Sequence, residues 1–476
     1  MSVHILMYPY PTPGHIIPLL DLAHKLLHLR RSDLAVTVLV TPDNLHLLDP
    51  FLSSSSSSSS SSLQFQPLVL PSPEPPATPH PPRRRLAANV RALRDLHLPL
   101  LSRWFESHPS PPCALVSDFF LGWTHRFARE RGVPRVVFSP SGAFGLSVNF
   151  ALWRDLRRPD EESMVSFEKL PNRPRFPWSH IPLIYRNYEV GDPEMELLRE
   201  GAIGNIESWG IVFNSFDGLE RAYLDHIRKE VGHNRVWAVG PLLPAEADGS
   251  AGPVSRGGPS SVSAGQVLTW LDACPDGSVV YVCFGSRAVP TQRQMDELAA
   301  GLLESGVRFI LCVREANRGG HAAEGNYGAV PEDFEERAAG RGLVIRGWAP
   351  QVPILRHRAV GTFLTHCGWN STLEGLSAGT VMLTWPMGAE QFVNAKLLVD
   401  ELGVGMRVGE GSEKIPEAAE LARVLAEALR GDLPQRVRAK EMSSAAWNAI
   451  EGGSSEKDLS DFVRCVDEQR RTKIHA

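Results

Sequence analysis

The chain has 476 residues, 43% of them hydrophobic and 22% charged, with a formal net charge of −5. That length exceeds one ordinary core and predicts two or three domains, and the charge balance is that of a soluble globular protein with no footprint for nucleic acid or an anionic membrane. Six scattered cysteines (Cys113, Cys274, Cys283, Cys312, Cys367, Cys465) include no C-x-x-C pair. Neither a disulfide framework nor a zinc site is expected, and the pattern is that of a reduced, intracellular chain.

In chain order, Val3 to Tyr8 reads as a strand of six residues with Pro9 following at once, too short for a signal peptide. A proline-rich turn leads to a helix with Leu19, Leu22, Ala23, Leu26 and Leu27 on one face, and Pro18 is expected in its first turn. Ala35 to Thr41 is the next strand, so the opening is a βαβ unit of a parallel sheet. His24 and His28 imitate metal ligands at i, i+4. They share a face with Asp21, Lys25 and Arg31 and lack a third ligand, so a solvated face is expected. His15 sits in the turn after the first strand, where open α/β sheets place their ligands. A loop histidine by itself is usually only a surface residue.

Ser53 to Ser62 is an unbroken serine run, followed by the proline-rich stretch from Pro67 to Pro82, and neither can bury a core. A disordered loop is expected there, and Arg83-Arg84-Arg85 is its solvated end or a helix start. Ala114 to Val116 is a short strand with Asp118 just beyond, which by itself reads as a helix cap. Glu161 to Glu200 lacks periodicity and reads as loops and short helices. Gly210 to Asn214 and Arg235 to Val239 close the first half as strands, and Pro241 to Gly265 is the clearest linker.

The second half repeats the pattern: a strand at Ser278 to Phe284, a turn at Gly285-Ser286, a helix at Thr291 to Ser305, and strands at Val307 to Val313 and Leu343 to Arg346. Val360 to Thr365 is a buried strand that enters a helix through His366-Cys367-Gly368-Trp369-Asn370-Ser371. Such a turn aims unpaired backbone N–H groups at one point with the helix dipole behind them, which makes a phosphate site. His366 can add a donor, Trp348 a flat face for a base, and Glu374 an acceptor for ribose hydroxyls. Two structural alternatives apply here. Ser371 and Glu374 fit the S-x-x-E capping box, and Gly375 to Gly379 fits the G-x-S-x-G elbow, rejected because Ser377 lies two turns into the helix. Glu417 to Leu429 is an amphipathic helix, and Leu459, Phe462, Val463 and Val466 give the last helix an apolar stripe. No apolar segment approaches the ~20 residues needed to span a bilayer. No retention or lipidation signal ends the chain, and a cytoplasmic location is expected.

From Trp348 to Gln391 the chain resembles, almost without interruption, the signature box of the plant secondary-product UDP-sugar glycosyltransferases. The resemblance implies that Trp348 stacks on uracil and the Ala349 backbone pairs with its edge. Gln351 and Glu374 would hold the ribose, and His366, Gly368, Asn370 and Ser371 the diphosphate. Trp369, Glu390 and Gln391 would face the sugar, the closing Gln usually accompanying glucose. Gly285-Ser286 resembles a second phosphate-contacting turn, with Ser286 as the contact. Where the family commonly has Val-Pro this chain has Thr380-Val381, which removes no donor contact. His15 falls where the family has its general base and Asp118 where it has the carboxylate that orients that base. The string from Ser117 to Phe144 resembles a subgroup acting largely on flavonoids and other phenolics. Within it Ser139 would touch the sugar, and Phe119, Phe120 and Phe144 would line an acceptor pocket unless they are plain core.

The expected fold is α/β: two Rossmann-like domains with parallel sheets facing across a cleft, the GT-B arrangement. The boundaries are 1–240 for the acceptor domain, 241–265 for the linker, 266–455 for the UDP-sugar domain, and 456–476 for a helix returning to the first domain. The expected activity is inverting transfer of glucose from UDP-glucose to a phenolic hydroxyl by a monomer, with no metal and no other cofactor. Another UDP-sugar, a C-glycoside, or a non-catalytic nucleotide-sugar-binding protein stay open as alternatives. A nicotinamide dehydrogenase is disfavoured because no G-x-G-x-x-G occurs.

Overall fold

The computed structural model describes residues 3–29, 33–49, 65–74, 84–243, 258, 260–286, 288–314, 328–411 and 414–474. The serine run, Arg31, Arg83 and most of the expected linker (residues 244–257 and 259) lie outside them. The chain forms two compact units: Met1–Trp178 with Leu183–Pro244 and Asn448–Ala476, and Ser179–Pro182 with Ala245–Trp447.

In the first unit the strands are β1 (Val3–Tyr8), β2 (Leu34–Val40), β3 (Phe65–Val69), β4 (Ala114–Asp118), β5 (Arg135–Ser139), a separate hairpin β6 (Met164–Ser166) and β7 (Arg175–Pro177), then β8 (Gly210–Phe213) and β9 (Val236–Ala238). Seven of them make a parallel sheet in the order β3-β2-β1-β4-β5-β8-β9. The helices are α1 (Pro13–His28), α2 (Arg85–Ser107), α3 (Thr124–Glu130), α4 (Ala143–Asp155), α5 (Leu183–Arg186), α6 (Pro193–Ile206) and α7 (Asp217–Val231). Every residue of β1 is buried, because alternate side chains meet a helix layer on each face. Val3, Ile5 and Met7 pack with Leu19, Leu22 and Leu26 of α1. Leu6 and Tyr8 pack with Val90, Leu93 and Leu101 of α2.

The second unit has β10 (Val279–Cys283), β11 (Arg308–Val313), β12 (Gly342–Arg346), β13 (Val360–Thr365), β14 (Val381–Thr384) and β15 (Gly405–Arg407), parallel in the order β12-β11-β10-β13-β14-β15. Its helices are α8 (Ala264–Asp272), α9 (Gln292–Glu304), α10 (Phe334–Arg337), α11 (Gln351–Arg356), α12 (Trp369–Ala378), α13 (Gln391–Lys396), α14 (Ala418–Ala428) and α15 (Pro434–Ile450). A capping box at Thr291 and Gln294 starts α9, and Gly379, at φ 70°, ends α12 in the left-handed cap that glycine favours. The last helix, α16 (Ser454–Ile474), packs Leu459, Phe462, Val463 and Val466 into the core of the first unit.

Several expectations are corrected. Pro18 lies inside α1 and not in its first turn, because Pro13 already takes the first helical position. The His24 face is not fully solvated: Asp21 is 8% exposed and Lys25 half-buried. Burial lowers the Lys25 pKa, with Asp21 and Glu456 opposing. Phe65 to Val69 is a strand although it contains Pro67, which is tolerated because β3 is an edge. Glu161 to Glu200 contains the β6–β7 hairpin and most of α6, capped by Asp192. The expected linker is bound at both ends. Leu242 donates its N–H to Asn214 Oδ1 at 2.8 Å, and Ser261 N–H donates to the Arg346 carbonyl at 2.8 Å.

Candidate active site

The first sheet reverses its strand order between β1 and β4, and such a switch point opens a crevice at the carboxyl ends of the strands. The pairing Tyr8↔Ser117 brings those two ends level. His15 lies in the first turn of α1, not in the loop before it, with its N–H donating to the Thr12 carbonyl at 2.9 Å. Asp118 ends β4 and is fully buried. Across 103 residues of sequence, His15 Nδ1 lies 2.8 Å from Asp118 Oδ2. The other carboxylate oxygen, Oδ1, accepts the Phe120 N–H at 2.9 Å, so Asp118 is both the cap and the partner of the histidine. With Nδ1–H donating to the carboxylate, the ring's lone pair sits on Nε2. Phe120 and Phe119 stack on the imidazole at centroid distances of 4.9 and 5.8 Å, and Tyr10 meets it edge-on at 5.5 Å. Of the alternatives left open for Phe144, plain core holds: it is 1% exposed and stacked on Tyr223. Ser139 is also corrected, being fully buried with its hydroxyl donated to the Ser141 carbonyl at 2.8 Å, so it offers no group to a sugar.

The second sheet repeats this geometry between β10 and β13, where Cys283↔Thr365 aligns the two ends. Gly285 (φ 74°) follows one strand and His366-Cys367-Gly368 the other. A Cβ on either Gly285 or Gly368 would overlap the His366 ring, so the two glycines are the walls of its slot. Cys367 holds φ 63° in the left-handed region, a conformation that costs a non-glycine residue about 1–2 kcal/mol. Asn394 Nδ2–H fixes it by donating to the Cys367 carbonyl at 2.9 Å. Among the described residues His366 Nδ1 is buried and finds no hydrogen-bond partner, and burial brings the ring's pKa down to about 4. Behind the turn stand the first N–H groups of α12. Their N-cap, Gly368, has no side chain to satisfy them, so the turn is built to take an anion.

Next to this turn a polar network forms. Tyr281 O–H donates to Gln351 Oε1 at 3.1 Å, and Gln351 Nε2 donates to Ser371 Oγ at 2.9 Å and Glu374 Oε2 at 2.6 Å. The capping-box alternative for Ser371 and Glu374 is thereby excluded, because Gly368 is the N-cap and Ser371 lies inside α12 with its hydroxyl taken by Gln351. The Trp348 ring lies half-buried with the Arg314 guanidinium 5.2 Å from its centroid, while Ala349 is 6% exposed. Ser286 follows Gly285 in the first turn, and Asn370 is the second residue of α12. Trp369 is buried, at 3% exposure. Glu390 is the N-cap of α13, and Gln391 Oε1 accepts the N–H groups of Met387 and Gly388 at 2.9 and 3.0 Å, which leaves its NH2 as the group it can offer. Sequence reasoning missed Tyr281, Asn394 and Arg314, which lie outside every motif and gave no signal of their own.

The family described as UDP-glucoronosyl and UDP-glucosyl transferase matches residues 262–431. A flavonol 3-O-glucosyltransferase of Arabidopsis thaliana, UGT89B1, is 46% identical over 98% of this chain and 96% of its own. This chain belongs to the UDP-glycosyltransferase family. UDP-glycosyltransferase 89B2 of Stevia rebaudiana is 48% identical over 98% of this chain and 97% of its own. The solved structure of Arabidopsis thaliana UGT89C1 with UDP-L-rhamnose superposes with a TM-score of 0.78, is 36% identical, and covers 98% of this chain and 99% of that one. The fold is therefore the GT-B class of these glycosyltransferases, with two sets of parallel strands. Among the described residues no helix is long and apolar enough to cross a membrane, and no three His, Cys, Asp or Glu side chains group as a metal site.

Proposed function

We propose that this UDP-glycosyltransferase moves glucose from UDP-glucose to a hydroxyl of a flavonol or similar phenolic, with inversion and without a metal. The observation that carries the reading is the His15–Asp118 pair at 2.8 Å. Held by the carboxylate at Nδ1, His15 takes the acceptor's hydroxyl proton at Nε2 as that oxygen bonds to the anomeric carbon. The bond from that carbon to the β-phosphate oxygen breaks on the opposite face, and the imidazolium is stabilised by Asp118. UDP leaves carrying the negative charge. Its diphosphate is met by the first turn of α12 and by His366, Gly368, Asn370, Ser371 and Ser286, in a site already oriented for it. Trp348 and the Ala349 backbone take the uracil, Gln351 and Glu374 the ribose diol, and Trp369, Glu390 and Gln391 the sugar. The flat wall of Phe119 and Phe120 beside His15 suits an aromatic acceptor, and UGT89B1 is named for flavonols.

A solved relative, Arabidopsis thaliana UGT89C1, holds UDP-L-rhamnose. A mass-spectrometric screen tests both donor and acceptor. UDP-glucose, UDP-galactose, UDP-xylose, UDP-L-rhamnose and UDP-glucuronate are each incubated with flavonols and simple phenols, with and without EDTA. A hexose-sized gain from UDP-glucose, insensitive to EDTA, is expected. A deoxyhexose gain from UDP-L-rhamnose alone overturns the donor, and UDP binding with no transfer to any acceptor leaves only a nucleotide-sugar-binding protein.

A further inference from the structure

We propose that Arg135 is a positioning residue of the transfer reaction: its buried guanidinium, hydrogen-bonded around the end of β4, fixes the Asp118 end of the His15–Asp118 pair and places a positive charge beside it. The proposal rests on the reading of that pair as base and partner.

Arg135 opens β5 beside β4 and is 2% exposed. Its Nε–H is shared between Ser117 Oγ and Thr124 Oγ1, both at 2.9 Å. Nη1 donates to Ser208 Oγ at 2.8 Å and the Gly204 carbonyl at 3.3 Å, and Nη2 reaches the backbone carbonyl of Asp118 at 3.5 Å. All these acceptors are neutral. Among the described residues no carboxylate pairs directly with this guanidinium. A charge placed in a dry site without an ion pair is expensive, and proteins rarely keep one for its hydrogen bonds alone. Burial pulls the Arg135 pKa down to about 9, with the Asp118 charge opposing the fall, so the group is still a cation at neutral pH. Asp118 is itself fully buried and lies close enough for its carboxylate to act on the Arg135 guanidinium.

The same bonds also stitch β4, β5, α3 and α6 together, which is what a purely structural arginine would do. Charge separates the two roles. Removing a cation raises the affinity of a coupled acid–base pair for a proton, whichever member holds it. The base is then already protonated at a pH where the wild type works, and the acid limb of the rate profile moves up. His125 of α3 faces Arg135, its pKa lowered by burial first and by Arg135 next, with Glu207 3.7 Å beyond it. Tyr10, Phe119 and Phe120, which face His15, are uncharged at neutral pH.

The test uses the full chain with UDP-glucose and a flavonol, measuring kcat/KM against pH and UDP affinity by calorimetry for R135Q, R135K, D118N and R135Q/D118N. For R135Q we expect kcat to fall about tenfold, the acid limb to rise by about one pH unit, and UDP affinity to hold. R135K retains the charge and should keep the limb in place even where its rate falls. R135Q/D118N should be little slower than D118N alone, because the two residues act as one unit. Equal losses in R135Q and R135K with no movement of the limb, or fully multiplicative losses in the double variant, overturn the proposal. If R135Q does not melt cooperatively, the R135K and D118N cycle decides on the same criteria. Unchanged turnover in H15A overturns the underlying reading instead, and is read separately.

Discussion

Two histidines in this chain have opposite settings. His15 is held at Nδ1 by a carboxylate at 2.8 Å. His366 finds no partner at Nδ1 among the described residues and sits between two glycines, where burial brings its pKa from 6.5 to about 4. The consequence for stability has a definite sign. Above pH 6.5 neither the folded nor the unfolded chain protonates this ring, and it contributes nothing. As pH falls from 6.5 towards 4, the unfolded chain binds a proton that the folded chain refuses, so folding loses up to about 3 kcal/mol. Replacing His366 by Asn removes that penalty. The difference between H366N and wild-type melting temperature should therefore shift in favour of H366N as pH is lowered from 7 to 5. Parallel curves would show that the ring takes up its proton freely in the fold.

At the scale of the element, the closing helix is the clearest case of a stripe acting as predicted by its period. Phe462 is fully buried and lies 5.3 Å from Trp237, whose indole N–H donates to Asp461 Oδ2 at 2.8 Å. Ala238 N–H donates to Asp458 at 2.7 Å, and burial raises the Asp458 pKa above the usual carboxylate range. Truncating Phe462 to Ala leaves a cavity in the core shared with β1 and α1, at a cost of about 3–5 kcal/mol. Differential scanning calorimetry should show a clearly lower melting transition for F462A. A shift of less than a degree would mean the helix is not part of that core. Strands were the easiest elements to read, because parallel strands buried on both faces appear as apolar runs such as VHILMY and VGTFLT. Helices were harder. In α2 the inward positions Val90, Leu93, His97, Leu101 and Phe105 keep a helical period, but His97 breaks the apolar stripe and Pro99 sits mid-helix. In α4 nearly every side chain is buried, so no period distinguishes one face. The turn at His366 was legible because glycine, histidine and cap-forming residues cluster within six positions. Arg135 and Tyr281 were not, since a residue inside a strand carries no mark of what its side chain reaches three strands or seventy residues away.

At the scale of the whole molecule, the same construction is used twice. Each unit is a parallel sheet with one switch point, and each places its functional groups at the carboxyl ends of the two strands that flank it. His15 and Asp118 stand at the first switch point, and Gly285, His366 and the start of α12 at the second. On the proposed function, chemistry and nucleotide binding belong to separate cores, which predicts separable mutational effects. His15→Ala removes a general base and should lower kcat by about 10²–10⁴-fold, with UDP affinity unchanged. Glu374→Ala removes an acceptor for the ribose and the partner of Gln351, and should weaken UDP by about 1–3 kcal/mol. In H15A/E374A, titration calorimetry should return the UDP affinity of E374A alone, and the turnover at saturating donor should match H15A alone. A further loss of UDP affinity in the double variant would show that the two sites are coupled in binding, and that the division of labour between the sheets is not what sets the nucleotide's affinity.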